Sequence, residues 1–232
     1  MRLFDLDGPL MSILNKIADM MILNILAIIC CLPIFTAGAT FTALHYVCLK
    51  IVRNEEGYIV RSFFKAFKEN FKQATIIWMV ALVAILFLIA DFWLIAEYEL
   101  NLGYWFKVVL MAVFVLVIFT TTFVFPALAK FSNTTLQTVK NAFAMSVLQF
   151  PKTILMIIIY VLPVVAGIFF YQAIPFVLLF GISVPVFLSA MLYNKFFKGL
   201  EEKILEHQGK KEAEDDGEKI FSDAPMEGIS DK

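Results

Sequence analysis

Two histidines and three cysteines are all the imidazole and thiol that the 232-residue chain offers, and their placement narrows the chemistry further. Cys30, Cys31 and Cys48 lie in apolar helical sequence, with neither the spacing of a disulfide framework nor that of a zinc site. His45 and Cys48 stand one helical turn apart, half of a metal site with no second pair of ligands near it. His207 precedes a polar tail. No Gly-rich phosphate loop occurs, so ATP binding by this chain is unsupported. Charge is scarce as well: 17% of residues are charged and the net charge is −1, which gives no attraction toward nucleic acid. Catalysis needs a nucleophile or an acid and base held together, and no such set is spaced for it. The expectation is a non-enzymatic protein with no catalytic residues, no cofactor and no metal.

What the chain has in quantity is hydrocarbon. A content of 61% hydrophobic residues is more than a soluble core of this length can hide, and nearly charge-free runs occur at 20–49, 74–96, 108–129 and 153–194. A span needs about 20 apolar residues, so the last run holds two. Asp5, Asp7 and Asp19 precede the first run and no small-x-small site follows it, so a cleaved signal peptide is a poor reading and the run is taken as a retained anchor. The predicted spans are 17–35, 74–96, 106–129, 152–170 and 174–193. Pro33 and Gly38 interrupt the first run, so 40–53 is expected to leave the bilayer as a second helix; a re-entrant hairpin with its tip near Pro33 is the alternative. The fold class is therefore an all-α polytopic membrane bundle of five transmembrane helices, with amphipathic helices at the cytoplasmic interface.

Orientation follows from where Lys and Arg fall. With the N-terminus outside, the cytoplasmic segments collect Lys50, Arg53, Arg61, Lys65, Lys68, Lys72, Lys130, Lys140, Lys152 and the basic residues from Lys195 on, leaving Arg2, Lys16 and Lys107 outside. That imbalance predicts N-out and C-in. Lys16 and Asp19 are then read as a local i, i+3 pair.

The stretch before the second span carries the clearest pattern. Phe63, Phe64, Phe67 and Phe71 fall within an arc of about 100° on a helical wheel, with Arg61, Lys65, Lys68 and Lys72 in a separate arc of about 60°. Such a helix is expected to lie along the cytoplasmic interface, rings toward the bilayer or the bundle, with each cation contributing roughly 1 kcal/mol against anionic lipid. A weaker copy follows the third span: Leu136, Val139, Phe143, Val147 and Phe150 recur at helical spacing, Thr134 with Gln137 reads as a capping box, and Pro151 opens the next span. The two blocks look like an internal repeat. Residues 195–207 read as a third amphipathic helix, closing a membrane domain over 1–207. The acidic, aperiodic 208–232 reads as a disordered cytoplasmic tail.

Few polar groups remain inside the spans. Asp91 lies six residues before Glu97, and intramembrane carboxylates are costly and often functional; with Asn24 it makes the possible intramembrane polar site. Asn24 and the run Thr120, Thr121, Thr122 are expected mainly to hydrogen-bond between helices.

Pro33, the turn Gly38-Ala39-Thr40, Thr42-Ala43-Leu44, the charged turn Asn54-Glu55-Glu56 and the Phe/Lys helix from Phe63 to Phe71 together resemble the signature region of the YesL-like family of bacterial membrane proteins, whose biochemical function is unknown. The likeness covers Cys30 to Trp78, and the span layout extends it across most of the chain. It implies a bacterial plasma membrane and an accessory or assembly role beside a carbohydrate ABC importer, with its permease subunits as partners besides the lipid bilayer. It supplies no catalytic residues. The helix at 134–150 has the place and length of a permease coupling helix without its Glu-Ala-Ala and Gly core, so a lateral partner fits better than a permease. A small stand-alone transporter or channel, and a scaffold that recruits a cytoplasmic protein, are the alternatives.

Overall fold

A computed structural model describes residues 9–55, 57–98 and 104–222. Among the described residues there are helices and short turns and no strand. Eight α-helices follow one another: α1 Pro9–Cys31, α2 Ala37–Val52, α3 Ile59–Glu97, α4 Tyr104–Lys130, α5 Thr135–Leu148, α6 Phe150–Phe169, α7 Ile174–Phe180 and α8 Ser183–Ser222. Five stretches are long and apolar enough to cross a membrane: Ile13–Cys31, Ile34–Val52, Ile59–Glu97, Tyr104–Lys130 and Phe150–Phe169; the bent pair α7 and α8 can supply a sixth. The chain divides into two units, Met1–Leu192 and Tyr193–Lys232.

The first apolar run folds as a helical hairpin. Pro33 has no N–H to donate and ends α1, and a 3-10 turn over Ile34–Thr36 leads into α2. The turn satisfies its own backbone: the Thr36 hydroxyl donates to the carbonyls of Cys30 and Pro33, and the Trp78 indole N–H donates to the Ile34 carbonyl at 2.8 Å. α2 is the second helix expected at 40–53, starting at Ala37, but it is packed inside the bundle and not laid on its surface. Eleven of its sixteen residues are buried, and it packs on α1, α3 and α4. Its small residues explain why. A Cβ on Gly38 would stand 2.6 Å from both the Ala74 carbonyl oxygen and the Trp78 Cβ, so glycine alone admits the approach of α3.

α2 ends in a Schellman turn. Asn54 adopts φ 53°, Glu55 N–H bonds back to Lys50 O at 3.0 Å and Asn54 N–H to Ile51 O at 3.1 Å, the pattern that a left-handed residue after the last turn permits. The chain then reverses into α3. At this end the Lys16 ammonium, expected to pair with Asp19, donates to the Asn54 side-chain oxygen at 3.2 Å. That contact corrects the topology drawn from charge: Lys16 and the Arg53–Asn54 turn share one end of the hairpin and cannot face opposite sides of a membrane.

α3 runs unbroken for 39 residues, about 58 Å at the usual rise per residue. The Phe/Lys segment is its first half and runs without a break into the span that follows. Between Lys72 and Ala74 no proline or glycine interrupts it. In the second block the outcome differs: Pro151 sits in the first turn of α6 and the helix breaks at Gln149, with φ −108° and ψ 35°, because proline clashes with a preceding helical turn. The two blocks therefore do not repeat in three dimensions. Thr134 does precede α5, but its side chain makes no capping bond; its carbonyl accepts from Thr138 N–H and hydroxyl. Pro126 and Pro163 lie within continuous α4 and α6, while Pro185 sits in the first turn of α8, where its missing N–H costs nothing.

In the second unit α8 continues as helix past His207 to Ser222, through much of the segment read as disordered. Tyr193 and Phe197, one turn apart, meet with their rings tilted by 42° and ring centres at 4.6 Å. Residues 223–232 of the acidic tail lie outside the described residues.

Candidate functional site

The polar residues within the spans separate into one assembled locus and several isolated groups. The locus begins at the break between α7 and α8, which bends by 60°. A Cβ on Gly181 would collide with the Val177 carbonyl oxygen, so only glycine closes this turn. Breaking a helix in an apolar setting strands carbonyls on one side and N–H groups on the other. Asn24 of α1 answers both. Its side-chain N–H donates to Leu178 O at 2.8 Å, and its carbonyl oxygen accepts from Ile182 N–H and Ser183 N–H, each at 2.9 Å. Asn24 is fully buried. The packing role read from sequence thus takes a particular form, a cap supplied from another helix to both ends of a broken one.

Next to the break lies a cavity of about 370 Å³ between α2, α3, α4, α6 and the start of α8. Its polar edge is His45 with Tyr160, whose hydroxyl stands 3.3 Å from His45 Nε2, the rings meeting edge to face. The Tyr160 hydroxyl also meets Ser189, which itself donates to Pro185 O at 2.8 Å. The rest of the wall is apolar or already bonded. Phe125 packs against Phe41 and Trp78 at 6.0 and 6.1 Å between centres, and the Trp78 N–H is held by Ile34 O. Thr120, Thr121 and Thr122 were expected to bond across helices; each instead donates within α4, to Leu116 O, Val117 O and Ile118 O. A hydroxyl that can reach its own i−4 carbonyl takes it in the absence of water.

Asp91 belongs to neither feature. It is half-buried on α3, thirteen residues beyond Trp78, about 20 Å along the helix. The Phe/Lys helix keeps the faces its periodicity gave it. Phe63 is fully buried, stacks on Phe67 at 6.2 Å, and Phe67 meets Phe71 at 5.5 Å; Phe64 is 40% exposed, and Arg61, Lys65, Lys68 and Lys72 are exposed. Of the two settings expected for the rings, Phe63 takes the bundle interior, with Phe67 and Phe71 half-buried behind it. Lys65 lies 3.9 Å from Glu69 in an exposed i, i+4 pair.

A second polar cleft, of about 260 Å³, sits where α1 starts and α2 turns into α3, between Lys16, Asp19, Lys50, Asn54 and Ser62. Among the described residues no group of three or more His, Cys, Asp or Glu side chains is placed to hold a metal ion. Sequence reasoning missed Tyr160, Ser189 and Gly181. Gly181-Ile182-Ser183-Val184-Pro185 carries a helix stop followed by a helix start, but the apolar run around it has the length of one span and concealed the break.

A family model described as a protein of unknown function, DUF624, matches residues 20–92. The match takes in the α1–α2 hairpin from Met20 and α3 as far as Phe92. It includes Asn24, Gly38, His45 and Trp78, and stops short of Tyr160 and the α7–α8 break. No curated protein and no solved structure matches the chain.

Proposed function

We propose that this chain is a non-enzymatic multi-pass protein of a bacterial plasma membrane that acts beside a carbohydrate ABC importer, associating laterally with its permease subunits, as the YesL-like resemblance implies. The observation that carries the reading is the chemistry of the cavity wall. A sugar presents a hydroxyl at most of its carbons and is bound by matching polar groups, each left costly if unpaired. This cavity offers His45 and Tyr160 and otherwise apolar side chains, its threonine hydroxyls and indole N–H being already engaged. Such a wall suits a protein that accompanies a sugar pathway better than one that forms it. The Lys16 end of α1 is placed on the cytoplasmic side with Arg53 and Arg61, where positive charge collects. Extraction of the tagged protein in mild detergent should bring permease subunits with it. Recovery as a lone species, together with unchanged sugar uptake in a deletion strain, overturns the proposal.

A second reading, a small transporter in its own right, is favoured by the α7–α8 break, since discontinuous helices frame substrate sites in many transporters. It requires solute flux from reconstituted protein alone. Retained flux in Asp91→Asn would remove Asp91 from that mechanism.

A further inference from the structure

α3, α4 and α5 enclose a cleft of about 750 Å³, twice the volume of the cavity beside His45. It exists because α3 turns Ala81 and Ala84 toward Val113 and Val117 of α4, leaving room that larger side chains would fill. α5 forms the third wall. One end is tied by Gln73, which lies one turn before Ile77 and donates to Asn133 O at 2.9 Å and to the Thr138 hydroxyl at 3.2 Å.

The wall has two properties that together select an occupant. It offers few hydrogen bonds: Thr120 and Thr121 on the α4 side both donate to their own helix at 2.8 and 2.7 Å, which leaves Thr135 at the start of α5 as the remaining hydroxyl. A peptide or a sugar would therefore leave its polar groups unpaired there. The wall also carries one ammonium, that of Lys140, on the exposed edge of α5. A largely apolar cleft with a single cation at its margin is complementary to an amphiphile with hydrocarbon at one end and negative charge at the other. Both long walls come from stretches apolar enough to lie in a bilayer, where such amphiphiles are the solvent.

We propose that this cleft is a binding site for one anionic membrane lipid, an acyl chain lying along Ala81 and Ala84 and the head-group phosphate paired with Lys140. The lipid bridges α3, α4 and α5, and so fixes α5 against the spans. The inference is independent of any role in sugar uptake.

The purified full-length protein, exchanged into a mild detergent with equal amounts of phosphatidylglycerol and phosphatidylcholine, is examined by native mass spectrometry. Wild type should keep a single phosphatidylglycerol in preference to phosphatidylcholine by about fivefold, the ratio that roughly 1 kcal/mol per basic residue provides. Lys140→Gln, an exposed change that leaves the helix contacts intact, should bring the ratio to about one while still retaining lipid. Ala84→Phe should release both lipids by filling the groove. Equal retention of the two lipids by wild type, which marks ordinary solvating lipid only, overturns the proposal. So does a ratio unaltered by Lys140→Gln, or a polypeptide adduct in place of lipid.

Discussion

Asn24 offers the sharpest test of how this chain tolerates a broken helix among apolar surroundings. Its amide serves three backbone groups, Leu178 O, Ile182 N–H and Ser183 N–H, at 2.8, 2.9 and 2.9 Å. Asn24→Ala strands all three where no side chain replaces it. A buried polar group left unpaired costs about 1–3 kcal/mol, so the substitution should cost about 3–6 kcal/mol after partial relaxation. Asn24→Asp separates the donor from the acceptors. A protonated carboxyl reproduces the amide, accepting from the two N–H groups and donating its O–H to Leu178 O; an ionised one still accepts but sets a negative oxygen against the carbonyl. The folded state therefore favours the proton and holds it to higher pH than the unfolded chain, where an aspartate titrates near its ordinary value of about 3.9. The sign follows. A native state that binds more protons than the unfolded one loses stability as pH rises, so Asn24→Asp should lie close to wild type below about pH 4 and fall progressively below it toward about pH 8. Thermal unfolding of the detergent-solubilised protein, followed by far-UV circular dichroism, reads both variants; a loss of about 3 kcal/mol corresponds to about 6–12 °C for a chain of this size. An Asn24→Ala protein as stable as wild type, or an Asn24→Asp deficit constant with pH, refutes the capping account.

Gly38→Ala should cost at least about 1–3 kcal/mol, because the added methyl meets a carbonyl oxygen on α3 at 2.6 Å and not a side chain able to turn away; the same unfolding assay checks it, and a neutral result means that α2 and α3 can part freely. Tyr160→Phe removes one partner each from His45 and Ser189 and should cost about 1–2 kcal/mol with no change in helix content, read as a lowered midpoint at constant ellipticity. Single cysteines at Lys16 and Asn54, whose side chains lie 3.2 Å apart, should be labelled from the same side of sealed membranes by an impermeant maleimide. Labelling from opposite sides would break the hairpin.

What the sequence disclosed and what it hid divide along one physical line. Periodicity is local, and it placed Phe63 inward and Lys65, Lys68 and Lys72 outward correctly, because 3.6 residues per turn fixes the face whatever lies against it. The apolar runs likewise became helices. Charge counting, in contrast, is one-dimensional. It separated Lys16 from Arg53 by a membrane because an apolar run lay between them, whereas the run doubles back at Pro33. The site residues suffered most: Asn24 finds its partners 154 to 159 positions away and His45 meets Tyr160 across 115. Such pairings are legible only in a folded chain. Pro151 is an instructive exception, since its chemistry was visible and it alone explains why the second block breaks where α3 does not.

The length of α3 restricts how the bundle can meet a membrane. Its first half lies antiparallel to α2, with Ile59 and Ser62 beside Val47 and Ile51 in the cleft at one end and Ala74 and Trp78 beside Gly38 and Ile34 at the other. If α2 crossed the hydrocarbon, the exposed cations Lys65, Lys68 and Lys72 would cross at the same depth, each at about 2.5–3.5 kcal/mol near the centre. Three such charges would cost about as much as a typical domain's whole stability. The second half of α3, from Met79 to Glu97, meets no such difficulty: Val80, Val83, Leu86 and Phe87 are exposed and apolar, and its nineteen residues span about 28 Å, close to the hydrocarbon thickness. Its partner there is the first half of α4, Phe92 meeting Phe114 at 6.0 Å. Length and charge therefore assign the two halves of one helix to different media, the outer face of the first to water and head groups and the second to lipid. The α1–α2 hairpin packs beside that first half through α2, and α1 adds its own apolar exposed surface at Ile17, Ile25 and Ile29.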